Sequence, residues 1–271
     1  ASLWRPNKDH QSDEPDSMRL RVTVPEKFTE ISNGRLISKT PVGDSQTLYE
    51  WKISYPVNNY NVSFCFGDYA QFTDTLQQEN GYALPLAYAV LSPHLAHARK
   101  LFQQVKPMLR IYEKYFGPYP FPRDGFRLIE SPYPMEHQSG VCIGKVLSDS
   151  SLEMLPTVVW HEVAHEWWGN AVTSKDIADM WIHEGFATYA ESLMIEELFG
   201  KESAAEYLSN QRSGISGKEP VTGVYDVNHI HYDIGDMYSK GSLLLHTLRN
   251  SIHNDSTWFG LLKSIQEHFR Y

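Results

Sequence analysis

The first third of the chain alternates between hydrophobic and polar residues, whereas hydrophobic residues in most of the remainder recur with a helical period. The clearest alternating runs cover residues 20–24, 48–53 and 61–66 and are separated by Pro, Gly and Asn, a pattern that predicts β-strands. Beyond these runs, apolar positions three or four residues apart predict helices. We therefore expect an α+β chain with an antiparallel β-region over residues 1–85 and a mainly helical region over residues 86–271.

Prolines and glycines divide the helical region into segments. The predicted segments are a helix over residues 92–116, a short β-region over 127–145, and helices over 156–169 and 177–198. Pro107 disturbs the first helix, whereas Pro156 suits the first turn of the second helix and Gly169 suits its end. The stretch between the last two helices is long enough to reverse direction, so we expect them to run antiparallel.

The most informative residues are His161, Glu162 and His165. Positions i and i+4 of a helix share one face, so both imidazoles can bind one metal ion, with Glu162 pointing toward its open side. A surface helix rich in His and Glu would show the same pattern. The neighbouring apolar residues are Val158, Val159, Val163, Ala164, Trp167 and Trp168. They predict a buried helix, and buried imidazoles and carboxylates need partners, which favours a metal site.

A third ligand is needed, because catalytic zinc typically takes three protein ligands and a water molecule. Glu184 follows His165 after eighteen residues, and an antiparallel helix brings it opposite the histidines. This spacing resembles that of the gluzincin aminopeptidases, the aminopeptidase N-like family of zinc peptidases. The resemblance implies a thermolysin-like catalytic domain over residues 86–271 with one zinc ion per chain. Residues 1–85 would be the last part of an N-terminal antiparallel β-domain.

The same resemblance implies roles for two further glutamates. Glu162 acts as the general base on the zinc-activated water. Glu191, two turns after Glu184, matches a family glutamate that supports a zinc-bound histidine, since such histidines usually donate their second N–H to a partner. A solvated helix carboxylate is the alternative interpretation of Glu191.

Met135 and Glu136 resemble the core of the family's Gly-x-Met-Glu-Asn exopeptidase motif. Pro134 and His137 depart from that motif. The resemblance implies that Glu136 binds the free α-amino group of the substrate, with Met135 beside the pocket for its first side chain. A carboxylate at a fixed distance from zinc would reject peptides without a nearby ammonium group. The alternative is a strand-edge glutamate without a role.

Tyr238 lies in a segment that resembles the family's Tyr-x-Lys-Gly, completed here by Lys240 and Gly241. The resemblance implies that its hydroxyl donates to the developing oxyanion. An ordinary buried tyrosine is the alternative. His229 and His231 lie in a nearby polar stretch, which we interpret as a loop near the substrate cleft, with a second metal site as the alternative.

Composition limits the partners. The net charge of -9 argues against nucleic acid. The longest apolar run, residues 83–91, is too short to span a bilayer. No targeting segment is recognised at the N-terminus, which leaves the compartment unknown: we expect a cytoplasmic chain, or a periplasmic or secreted one if a signal segment was removed. The family is longer than this chain, and we expect a chain truncated at both ends, without the family's C-terminal helical domain.

The sequence thus predicts a zinc-dependent aminopeptidase acting on peptides with a free N-terminus. Two alternatives keep the zinc. One is an endopeptidase, or a relative of the family's epoxide hydrolase, in which Glu136 does not anchor the substrate. The other is a truncated chain that binds zinc without turnover.

Overall fold

The computed structural model describes residues 4–230 and 235–271. Its strands are β1 (Met18–Pro25), β2 (Thr29–Ser32), β3 (Arg35–Val42), β4 (Gln46–Ile53), β5 (Phe64–Gly67), β6 (Tyr69–Gln77), β7 (Ala83–Leu91), β8 (Phe126–Ile129), β9 (Pro134–Met135) and β10 (Val141–Ile143). Its α-helices are α1 (Leu95–Leu101), α2 (Val105–Phe116), α3 (Thr157–Ala164), α4 (Trp181–Phe199), α5 (Lys201–Gln211), α6 (Asp236–Ile252) and α7 (Asp255–Phe269). The prediction of an α+β fold is confirmed.

The chain forms two compact units. The first contains residues up to 9, 13–106 and 120–162, and the second contains residues 10–12, 107–119 and 163–271. Their boundary therefore passes through the helices α2 and α3. Residue 85, where the sequence suggested a domain division, lies within β7, and that division stays a prediction.

The first unit is built from three sheets, in the strand orders β1-β4-β3, β6-β7-β8-β10-β9 and β2-β5. The long apolar run of residues 83–91 forms β7, which pairs antiparallel with β6 and parallel with β8. Its residues 84, 86, 88 and 90 are all buried, whereas residues 83, 85 and 91 are exposed, so one face of the strand is buried along its whole length. At the far edge of this sheet, Met135 of β9 pairs with Cys142 of β10. Glu136 is the residue that directly follows this edge strand.

The second unit has α4 at its centre. Residues 183–195 of this helix are all buried. Trp168 stacks on Phe186 with the ring centroids 4.1 Å apart, while Trp167 packs edge-on against Tyr112 of α2. The helices α4 and α6 come into backbone contact at Gly185 and Gly241, because a Cβ on Gly241 would lie 2.9 Å from the Cα of Gly185.

Two of the predicted helices differ from the observed ones. The pattern over residues 92–116 is interrupted by a 3₁₀ turn at Phe102–Gln104 and not at Pro107, which lies in the first turn of α2, where proline is tolerated. The helix expected to reach Gly169 ends at Ala164. Wider turns follow it, with N–H groups bonding carbonyls five residues earlier.

The third predicted helix agrees closely with the observed one. α4 covers residues 181–199 where a helix over 177–198 was expected, with a short 3₁₀ turn at Ile177–Asp179 before it. It ends before Gly200, whose φ of +91° suits glycine. None of the helices in the described ranges has the length and apolar character needed to cross a membrane.

Candidate active site

The two predicted metal-binding histidines lie where α3 ends. His161 occupies the last turn of the helix, and His165 is the first residue after it. The Nδ1 of His165 lies 2.9 Å from the carbonyl oxygen of Trp168. A carbonyl can only accept a hydrogen bond, so Nδ1 carries the proton and the lone pair of the neutral imidazole is on Nε2. The backbone therefore selects the tautomer that can bind a metal through Nε2.

Glu184 lies opposite this nitrogen. Its Oε2 is 3.4 Å from the Nε2 of His165, and both side chains are buried. The possible ligand atoms of His161, His165 and Glu184 all lie within 4.8 Å of one another. Two imidazole nitrogens and one carboxylate oxygen are a donor set that catalytic zinc sites use. The chemistry and mutual proximity of these three residues therefore fit a zinc ion.

The chain returns to Glu184 through a segment that His183 holds in place. Its Nε2 accepts the backbone N–H of Ser174 at 2.9 Å. Burial, and to a smaller extent the neighbouring His165, lowers the pKa of His183 to about 3. His183 is therefore a neutral acceptor near neutral pH, and it fastens the return segment to the start of α4.

Gly169 lies between the two imidazoles of His165 and His183. A Cβ at this position would lie 3.2 Å from the Cγ of His183 and 3.3 Å from the Nδ1 of His165. Its φ of +124° also lies in a region that favours glycine. Glycine at this position lets the backbone pass close to both rings.

Glu162 and Glu136 form a second close group in the first unit. Glu162 follows His161 directly on α3, and Glu136 follows β9. Both are buried, and their carboxylate oxygens lie within 4.8 Å of each other. Like charges this close repel each other, and a cation between them relieves the repulsion. The pair therefore suits a positively charged group of a substrate.

Tyr238 lies in the first turn of α6, one turn before Gly241. The start of this helix is anchored by Asp236, whose carboxylate accepts the backbone N–H groups of Ser216 and Glu219. Lys240 donates to the carbonyl oxygen of Glu219 at 2.7 Å. Lys240 therefore positions the helix that carries Tyr238 by holding the segment around Glu219. Gly241 positions the same helix through its contact with α4.

Glu191 is buried on α4, two turns after Glu184. Its carboxylate accepts a hydrogen bond from the hydroxyl of Tyr207 on α5. Burial and the charge of Glu191 raise the pKa of that hydroxyl, which keeps it protonated as a donor. The sequence did not identify Tyr207. The proposed support of a zinc-bound histidine by Glu191 stays a prediction.

Sequence reasoning also missed Glu166. This carboxylate is completely buried next to His165, and a charged residue within an apolar run was the signal that could have found it. Of the two weaker candidates, His229 lines a pocket of about 150 Å³ with mainly apolar neighbours such as Val221 and Met237. His231 lies outside the described residues.

Comparisons with known proteins agree with this geometry. Residues 101–271 match the model of the peptidase family M1 domain. Mouse endoplasmic reticulum aminopeptidase 1 is 25% identical over 276 residues, which cover 93% of this chain and 29% of the relative. Mouse aminopeptidase B is 24% identical over 269 residues, covering 92% of this chain and 39% of the relative. The chain thus spans well under half the length of these relatives.

A solved structure supports the same conclusion about the fold. An M1 zinc metallopeptidase from Deinococcus radiodurans superposes with a TM-score of 0.81 at 24% sequence identity. The match covers 98% of this chain and 59% of that protein. Since the family match extends over more than half of the sequence, the chain belongs to peptidase family M1.

Proposed function

We propose that this chain carries the active site of a zinc-dependent aminopeptidase, which removes the N-terminal residue of a peptide. The observation that carries the proposal is the convergence of His161, His165 and Glu184, with Glu162 beside the first histidine. The relatives named above are aminopeptidases, which agrees with this substrate class.

The three clustered side chains would hold the metal. His165 would bind through Nε2, since its Nδ1 proton is committed to the Trp168 carbonyl. Bound zinc would lower the pKa of a coordinated water toward about 7 and polarise the scissile carbonyl. Glu191 would support a zinc-bound histidine, since such histidines usually donate their second N–H to a partner.

The remaining residues would handle protons and charge. A carboxylate oxygen of Glu162 would take a proton from the attacking water and pass it to the nitrogen of the leaving amine. Glu136 would accept hydrogen bonds from the α-ammonium group of the substrate, while Met135 lines the space for the first side chain. The hydroxyl of Tyr238 would donate to the oxygen on which negative charge develops.

The position of Glu136 favours exopeptidase over endopeptidase or epoxide hydrolase activity. The carboxylates of Glu136 and of the proposed general base Glu162 lie within 4.8 Å of each other, so a cation held at this place is attracted by both. A free N-terminus supplies such a cation at a fixed distance from the scissile bond. An internal peptide segment or a lipid epoxide does not.

The experiment compares wild type with Glu184→Ala and Glu162→Gln, by zinc content per chain and by hydrolysis of one peptide with a free or an acetylated N-terminus. We expect about one zinc per wild-type chain, much less in Glu184→Ala, and hydrolysis of the free peptide alone. Glu162→Gln should keep its zinc and lose about 10²–10⁴-fold in rate, the usual contribution of general base catalysis.

Every other result of this experiment would contradict a specific part of the proposal. Cleavage of the acetylated peptide would show an endopeptidase, and near-normal turnover by Glu162→Gln would refute the assignment of the base. Full zinc occupancy without turnover in wild type would mean that this chain binds metal but does not catalyse. Normal zinc content in Glu184→Ala would refute the ligand set.

A further inference from the structure

Glu166 is a buried carboxylate that the proposed reaction does not use. The residue follows His165 directly and has no exposed surface. Its Oε2 accepts the hydroxyl of Tyr119 at 2.7 Å, and its Oε1 accepts the side-chain amide of Asn170 at 3.3 Å. Both partners are themselves buried. Burial of a carboxylate is costly unless it is fully hydrogen-bonded, so its presence needs a reason.

The turn that follows α3 provides that reason. The backbone N–H groups of Asn170, Ala171 and Val172 bond the carbonyls of residues 165, 166 and 167, at 2.9 to 3.2 Å. Such five-residue closures are rare and wider than those of an α-helix. This turn contains the Trp168 carbonyl, which accepts the Nδ1 proton of His165. The direction of the His165 imidazole therefore depends on the conformation of this turn.

Glu166 fixes the turn from inside. Its hydrogen bond with Asn170 closes the loop of the turn, and its bond with Tyr119 ties that loop to the segment after α2. The same segment holds the next residue, because the indole Nε1 of Trp167 donates to the carbonyl of Gly117 at 3.0 Å. Consecutive side chains of the turn are thus anchored on one short stretch of chain.

We propose that Glu166 is a positioning residue, which orients the His165 imidazole toward the metal by fixing the turn of residues 165–172. The inference rests on the proposed function, in which His165 is a zinc ligand. An apolar side chain of similar size would fill the same space but could not accept the two hydrogen bonds at once. Partners of metal ligands beyond the ligands themselves commonly change metal affinity by about 10- to 100-fold.

The test compares Glu166→Leu, Glu166→Gln and Tyr119→Phe with wild type. Zinc affinity is measured by competition with a chelator of known affinity, at a temperature at which every variant is folded. We expect Glu166→Leu to lose about 10- to 100-fold in zinc affinity. Glu166→Gln should lose much less zinc affinity. The glutamine oxygen still accepts the hydroxyl of Tyr119, and the side-chain amide of Asn170 can turn over so that its oxygen accepts from the glutamine. Tyr119→Phe should fall between them.

Glu30→Gln is the matched control. Glu30 is also a completely buried glutamate, bonded to Trp51 at 2.6 Å and to Ser32 at 2.5 Å. Its substitution should change the melting temperature and leave zinc affinity unchanged. If Glu166→Leu and Tyr119→Phe behave in the same way as this control, Glu166 is merely structural and the inference is wrong. If Glu166→Leu does not fold, Tyr119→Phe decides alone.

His165→Ala separates failure of this inference from failure of the proposed function. Loss of zinc in His165→Ala together with normal affinity in the Glu166 and Tyr119 variants would refute only the positioning role. Normal zinc affinity in His165→Ala would refute the ligand assignment itself. A further readout is kcat against KM at saturating zinc, where a displaced His165 should lower kcat and leave KM nearly unchanged.

Discussion

Gly241→Ala tests how the contact between α4 and α6 positions the active site. Gly185 directly follows the proposed ligand Glu184, and Gly241 lies one turn after Tyr238. The Cβ added by this substitution would lie 2.9 Å from the Cα of Gly185 and 3.8 Å from its N. Neither neighbour is a flexible side chain that can move aside. The two helices must therefore separate to admit the methyl group.

The expected cost follows from two opposing terms. Carbon atoms make favourable contacts at about 3.5–4.0 Å, so α6 must move by roughly 0.6–1 Å. Overpacking of this kind destabilises proteins by about 1–3 kcal/mol. Against this, alanine favours a helix interior over glycine by about 1 kcal/mol. We expect a net loss of about 0–2 kcal/mol in the free energy of unfolding.

Gly260→Ala is the control, because it makes the same chemical change without the contact. Gly260 lies within α7, and a Cβ there would meet no atom within 4 Å. It should gain about 1 kcal/mol from helix propensity alone. The two variants should therefore differ by about 1–3 kcal/mol, measured by urea unfolding with both proteins in the same zinc concentration.

Activity gives a second measure of the same displacement. A shift approaching 1 Å in a group that acts on the transition state can lower the rate by about 100-fold. Gly241→Ala should thus lose kcat well beyond its loss of folded protein, whereas Gly260→Ala should keep it. If Gly241→Ala is as stabilising as Gly260→Ala, the close crossing is not a constraint and the reasoning is refuted.

Two further predictions concern charged residues that have no role in the proposed chemistry. Arg249 donates to both carboxylate oxygens of Glu196 and to both of the half-exposed Asp255. Arg249→Met should therefore lower the free energy of unfolding, measured in urea, by about 2–3 kcal/mol. A change below about 0.5 kcal/mol would contradict this. Burial raises the pKa of Glu30 in the folded protein, so folding favours the protonated carboxyl group. The stability that this preference contributes is complete below the pKa of the unfolded chain and is lost as pH rises through the pKa of the folded protein. Wild type should therefore lose stability relative to Glu30→Gln as pH rises above about 4.5, and parallel profiles would contradict this.

The fold could be predicted where the signal is local. α4 was predicted to within a few residues because its apolar residues and the glycine at position 200 mark its body and its end. The strand β3 was missed because it pairs only with β4, at the edge of its sheet, and nearly all of its residues are exposed. An exposed edge strand has no buried face and therefore shows no alternation to detect.

The end of α3 shows a different limit. The sequence predicts a helix that ends at Gly169, because a glycine often follows the end of a helix. The helix instead stops at Ala164, and the glycine is required because two imidazoles pass on either side of it. That requirement involves His183 from α4, so no local pattern in the sequence could have distinguished it from an ordinary cap.

Each of two motif segments therefore combines a residue proposed to act in the chemistry with a glycine that allows two helices to pack closely. In the segment around Glu184, the carboxylate is proposed to bind metal, whereas Gly185 is small because α6 touches it. In the segment around Tyr238, the hydroxyl is proposed to act on the substrate, whereas Gly241 supplies the other half of the same contact. Each proposed chemical residue thus lies within one helical turn of the glycine that positions its helix. The two segments constrain each other, and substitution of either glycine should affect the chemistry assigned to both.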